Sequence, residues 1–221
     1  MKGDRLVIEE RHVRAARQLM KLLLPEITGT QRIFTIAIAG ESGSGKSEIA
    51  SVLTELLAEK GIKSIILQLD DYFVHPPKTN AEMRRRDIQH VGPSEARLEL
   101  VDRNLRDIRD GKTRITKPLV IYDDNSITEE TVELEGVKVA IVDGTYTALL
   151  KNVQQRIFID RTYVDTKEAR RQRGREEQDA CLERVLEIEH RVIASHRQKA
   201  DIIVTRNYGV RKAGQNDTGT K

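Results

Sequence analysis

Residues 40–47 read Gly-Glu-Ser-Gly-Ser-Gly-Lys-Ser, a complete G-x-x-x-x-G-K-[S/T] loop of the kind that wraps a nucleotide phosphate. An apolar, β-branched run from Ile33 to Ala39 precedes it, and Ile49, Val52, Leu53, Leu56 and Leu57 follow at helical spacing. Strand, glycine loop and helix in that order commit the chain to an α/β fold with the loop at a strand end. Gly40, Gly43 and Gly45 let the backbone approach an anion closely, and Glu41, Ser42 and Ser44 complete the cradle. Lys46 supplies a mobile charge for the terminal phosphates, and Ser47 a hydroxyl for Mg²⁺. The expected ligand is a nucleoside triphosphate.

Four further apolar runs read as core strands: Ser64 to Leu69, Val137 to Val142, Arg156 to Ile159 and Ala200 to Thr205. With helices between them, they predict a five-stranded parallel sheet flanked by helices, as in the P-loop NTPase fold. Residues 115–122 and 131–134 predict a small β excursion, and 94–110 a helix begun by Pro93 and Ser94. An amphipathic helix over residues 5–24, ended by Pro25, is expected to pack on the core. The predicted organisation is an N-terminal helix over 1–32, a phosphate-loop domain over 33–208 with a helical lid over about 166–196, and a flexible tail over 209–221.

Ligands of such sheets gather at the carboxyl ends of the strands, where Gly40, Asp70, Asp143 and Asp160 all fall. Asp143 closes the run Ile141-Val142 and can organise Mg²⁺ with Ser47, or else cap the following turn. Asp70 can orient an acceptor hydroxyl and take its proton. Alternation along an extended chain turns Asp71 away from it, to cap or to touch metal-bound water. The dense cations Arg170 to Arg175 read either as a phosphate-pairing lid, with Arg171, Arg173 and Arg175, or as a solvated face balanced by nearby glutamates. Tyr72, His90 and Tyr122 are candidate acceptor contacts; Arg84, Arg85 and Arg86 read equally as an anion site or a solvated loop.

Lys and Arg total 38 against 35 Asp and Glu, an excess too small to argue for nucleic acid. No apolar run reaches membrane-spanning length, and the single Cys181 excludes an intramolecular disulfide framework. A cytoplasmic protein with a small-molecule partner, and with self-association left open, is the expectation.

Taken together, Gly40–Ser47, Leu69-Asp70-Asp71-Tyr72-Phe73, Gly111-Lys112 leading to Pro118 and Tyr122-Asp123, Val142-Asp143-Gly144 and Arg170–Arg175 make the chain resemble the uridine kinase/phosphoribulokinase family. The resemblance implies an Mg²⁺-dependent transfer of the ATP γ-phosphoryl group to an alcohol, nominally uridine or cytidine. By resemblance Asp70 matches the family's catalytic carboxylate, and Arg171, Arg173 and Arg175 its lid arginines. Uridine kinases follow Tyr-Asp with a segment carrying a His and an Arg, whereas residues 124–128 here carry neither. A sugar, a sugar phosphate or a pantothenate-like alcohol therefore stays open as acceptor, as does a nucleotide-binding regulator without turnover. A switch GTPase would need Asn-Lys-x-Asp, which this chain lacks.

Overall fold

The computed structural model of the protein describes residues 1–3, 6–174, 177 and 179–214. The run before the glycine loop forms β1 (Phe34–Gly40), buried at every position because both faces of the sheet are covered. The next strands in the chain are β2 (Ser64–Gln68), a hairpin of β3 (Arg114–Ile121) and β4 (Ser126–Glu133), then β5 (Val139–Asp143), β6 (Gln155–Ile159), β7 (Ile202–Val204) and β8 (Val210–Lys212). The main sheet has the order β2-β5-β1-β6-β7-β8. Its first five members are parallel and coincide with the five expected strands. The sixth, β8, is antiparallel to β7 and falls where a flexible tail was expected; Val210 pairs with Val204, and that apolar edge holds it. Residues 215–221 of that tail lie outside the described residues.

Helix α1 (Glu10–Thr28) starts later than its pattern suggested and runs through Pro25 instead of stopping there. Proline's fixed φ suits a helix, so the cost is one missing N–H bond and a local clash, and buried Ile27 secures the last turn. With Leu19 and Leu23 at 0% and 1% exposure, α1 packs on α2 (Lys46–Ala58) over one sheet face. Each such leucine contributes about 2 kcal/mol. The opposite face is covered by α4 (Leu98–Arg109), which follows the short α3 (Pro77–Arg86), and by α6 (Ala180–Ala194), which follows α5 (Lys167–Arg173). Pro77 stands at the first turn of α3, a helix in place of the expected loop. Among the described residues, no helix is long and apolar enough to cross a membrane.

Candidate active site

The sheet register aligns three of the four expected strand ends. Asp143 pairs with Ile38 on β1 and with Gln68 on β2, so the phosphate loop, Asp143 and Asp70 emerge side by side. Asp160, the fourth, pairs instead with Arg197 at 2.8 Å on the surface. After β2 the chain winds into a 3₁₀ turn, Leu69–Tyr72. Its three-residue period puts Leu69 and Tyr72 on one side and Asp70 and Phe73 on the other. Leu69 and Tyr72 are fully buried, whereas Asp70 and Phe73 line a cavity. Tyr72 is thus a core residue whose hydroxyl accepts a hydrogen bond from Asn104 at 2.9 Å, not an acceptor contact. Asp71 is buried too: it accepts from Lys117 Nζ at 2.8 Å and from the Val120 N–H at 3.0 Å, which ties the turn to β3.

Asp143 and Asp70 are brought together by Gly144. A Cβ there would overlap the Leu69 side chain, so only glycine lets the two carboxylate-bearing turns approach. We expect Gly144→Ala to lower stability by about 3 kcal/mol, read as a lower urea midpoint at constant slope. An unchanged midpoint would show that the two turns separate freely.

Gly45 takes φ +95 at the start of α2, a conformation that favours glycine. Lys46 Nζ donates to the Glu41 carbonyl at 2.9 Å, and Ser47 Oγ donates to Asp143 Oδ2 at 2.5 Å. Burial, with a smaller contribution from the Asp70 charge, pushes the Asp143 carboxyl up to about 6. Its other oxygen, Oδ1, is buried with no hydrogen-bond partner among the described residues. A buried carboxylate oxygen of that kind, beside a serine hydroxyl, fits a hard cation or its bound water. No cluster of three or more His, Cys, Asp or Glu side chains that could hold a metal ion occurs among the described residues.

The segment from Tyr163 into α5, together with α6, is stitched to the phosphate loop by contacts the sequence did not reveal. Buried Glu41 accepts from the Tyr163 N–H at 2.5 Å and meets His190 Nδ1 of α6 at 2.7 Å. Thr166 Oγ1 donates to the Ser42 carbonyl at 2.8 Å, and the Arg170 side chain packs against Gly43. Arg170, 5% exposed, therefore meets the loop, whereas Arg171 is exposed to solvent. Successive helical residues diverge by about 100°, so the two cannot share a face. Arg173 lies in the last position of α5, and Arg175 lies outside the described residues.

A cavity of about 390 Å³ extends from Ser42 and Asp70 between α3 and α6. Tyr122 lines it as expected, together with Phe73, His75, Asn80, Leu186 and Glu189. His90 is not among its lining residues; it stands behind Asn80, 3.2 Å from the amide oxygen. Of the two readings of Arg84, Arg85 and Arg86, the anion site dissolves into ion pairs. Arg84 holds Glu95 at 2.5 Å and Glu189 at 2.9 Å, Arg85 holds Asp179 at 2.6 Å, and Arg86 lies 3.9 Å from Glu82. No local signal marked Glu189, because its partner lies on a distant helix.

The phosphoribulokinase/uridine kinase family model matches residues 35–210, from β1 to β8. The chain belongs to this family. It is 32% identical over 192 residues to a uridine kinase of Histophilus somni (strain 2336), covering 80% of this chain and 88% of that one. It is 28% identical over 189 residues to the bifunctional alpha-galactosidase/sucrose kinase AgaSK of Mediterraneibacter gnavus, covering 79% of this chain and only 20% of that much longer protein. A uridine kinase of Macrococcus caseolyticus (strain JCSC5402), 33% identical over 132 residues, is matched over 59% of this chain and 61% of its own length. Thus the chain spans less than two thirds of two of these three family relatives. The fold is shared with the D-glycerate 3-kinase of Cryptococcus neoformans at a TM-score of 0.62 and 12% identity, over 92% of this chain and 99% of that one.

Proposed function

We propose that the protein is an ATP- and Mg²⁺-dependent kinase that phosphorylates a hydroxyl of a neutral, polyhydroxylated small molecule. The observation that carries this reading is the position of Asp70, on the wall of one cavity that also includes Ser42 of the phosphate loop. A base between a triphosphate cradle and an adjoining pocket is the arrangement that transfer to an alcohol requires. Asp70 orients the acceptor hydroxyl and takes its proton as the bond from oxygen to the γ-phosphorus forms and the bond to the β-bridging oxygen breaks. Lys46 and the loop N–H groups stabilise the charge that collects on the phosphates. When bound, Mg²⁺ adds neutralisation of the phosphate oxygens, with Ser47 and Asp143 as the residues that would hold it. A reaction that draws on ATP belongs in the cytoplasm.

The charge balance of the cavity supports a neutral acceptor. Arg84 and Arg85 are each committed to carboxylates, and Lys78 Nζ donates to the Asp123 carbonyl at 3.2 Å. An acceptor bearing phosphate or carboxylate that recruited Arg84 would leave the buried Glu95 carboxylate without its cation. Asn80, though bonded to Glu95 and His90, keeps a second amide N–H and a second carbonyl lone pair of the kind that hydroxyls need. Purified protein incubated with Mg-ATP and a panel of nucleosides, free sugars, sugar phosphates and pantothenate should release ADP with a neutral member of the panel. Turnover confined to the anionic members would overturn the acceptor class. ATP hydrolysis indifferent to every acceptor would overturn the kinase.

A further inference from the structure

The peptide that joins Ser44 to Gly45 is held by groups outside the glycine-loop motif. Tyr208 Oη donates to the Ser44 carbonyl at 3.1 Å. The same hydroxyl accepts from Arg161 Nη1 at 2.6 Å and lies 3.3 Å from His12 Nε2 on α1. The hydrogen-bond partners of His12 assign its tautomer. Nδ1 accepts the Glu9 N–H at 3.1 Å, so the proton sits on Nε2 and points at the phenol. Burial holds the imidazole neutral by lowering its pKa, against an opposing pull from Glu48. The Tyr208 hydroxyl thereby makes one bond as donor and two as acceptor, its full complement.

The brace is also crowded. A Cβ on Gly45 would come within 3.0 Å of the His12 ring and 3.1 Å of the Tyr208 hydroxyl. Tyr208 itself sits at φ +60, a rare conformation for a bulky residue. The β7–β8 turn enforces it: Tyr208 N–H donates to the Thr205 carbonyl at 2.8 Å and Thr205 N–H to the Gly209 carbonyl at 2.7 Å. The guanidinium of Arg161 lies 5.0 Å from the tyrosine ring centre, and that of Arg11 lies 5.4 Å from it. None of His12, Arg161 and Tyr208 lines the acceptor cavity.

We propose that Tyr208, oriented by His12 and Arg161, is a positioning residue for phosphate binding. In a trans peptide the C=O and N–H point in opposite directions. Tying the Ser44 carbonyl back to Tyr208 turns the Gly45 N–H away from the brace, toward the side on which the loop cradles its ligand. A free Ser44–Gly45 peptide can flip, because glycine tolerates either orientation, and a flipped carbonyl would face the phosphate. Helix α1 and the β7–β8 turn thus become part of the nucleotide site. This inference rests on the reading that the loop holds ATP.

The test is calorimetric titration of ATP into the full chain and three variants, alongside steady-state kinetics and unfolding midpoints. Tyr208→Phe removes only the hydroxyl and is expected to weaken ATP binding about three- to tenfold. Its KM for ATP should rise by the same factor while KM for the acceptor stays put. His12→Leu should weaken ATP in the same direction, whereas His12→Gln, whose amide can still donate to the phenol, should restore most of the affinity. Wild-type ATP affinity in both Tyr208→Phe and His12→Leu would overturn the inference while leaving the kinase reading intact. So would a lower kcat and unfolding midpoint at unchanged ATP affinity, the mark of a merely structural role. If Tyr208→Phe does not fold, the contrast between His12→Leu and His12→Gln decides alone. A parent protein that binds no ATP would overturn the kinase reading and this inference with it.

Discussion

Asp70→Asn is expected to cut acceptor-dependent ADP release by about 10²–10⁴-fold while ATP binding persists. Asparagine keeps the shape of the side chain and loses the capacity to accept a proton. The residue lies on the cavity wall, outside the phosphate loop, so the groups that hold the triphosphate stay in place. The substitution also removes a negative charge that contributes to the raised pKa of Asp143. ATP affinity should therefore hold or tighten slightly. Single-turnover kinetics with the acceptor found by the panel, together with calorimetry, separate the two effects. Near-normal turnover in Asp70→Asn would assign the base elsewhere.

Asp143→Asn should lower turnover by about 10²–10³-fold and yet leave the metal-free protein at least as stable as the parent. The two effects have one cause. Burial lifts the folded-state pKa of Asp143 to about 6 from an ordinary value of 3.8. Between those values the folded chain keeps a proton that the unfolded chain has lost, so this group's contribution to stability falls as pH rises through that window. Above it the cost is constant, on the order of 3 kcal/mol at most. Asparagine cannot ionise, so it removes the slope while still accepting from Ser47. Urea midpoints of the metal-free parent and variant should diverge in the variant's favour between about pH 4 and pH 7. A parent that instead gains on the variant as pH rises would mean that the carboxylate is stabilised in the fold without metal. Binding of Mg²⁺ to the parent, followed by its recovery of stability, would show what the buried charge is for.

Much of the fold was legible because it is written in short-range patterns. The five parallel strands are runs of β-branched residues buried on both faces, and such runs announce themselves without partners. The hairpin of β3 and β4 was seen in outline, at shorter extent for β4, because its exposed positions dilute the pattern. Helix α3 was missed because its sequence, from Pro77 to Arg86, has almost no apolar face; its single buried residue is Asn80. β8 was missed because three residues beside a polar tail carry too little pattern to call a strand.

The candidate site divides along the same line. By itself the amino-acid sequence determined the phosphate loop, the carboxylates at the ends of β2 and β5, and hence a nucleotide site with an acid beside it. Each of those is a local arrangement of residue types whose chemistry follows from spacing. Tertiary structure alone decided which side of the Leu69–Tyr72 turn faces the cavity, and so that Phe73, not Tyr72, joins Asp70 there. It decided that Arg170 meets the loop while Arg171 does not, and that Glu189, 105 residues from Arg84, neutralises it. It also brought His12 and Tyr208, 196 residues apart, together behind Gly45. The reason is physical. A side chain's charge and hydrogen-bonding capacity are its own, but whether they are spent on a neighbour or left for a ligand depends on residues that only folding brings near.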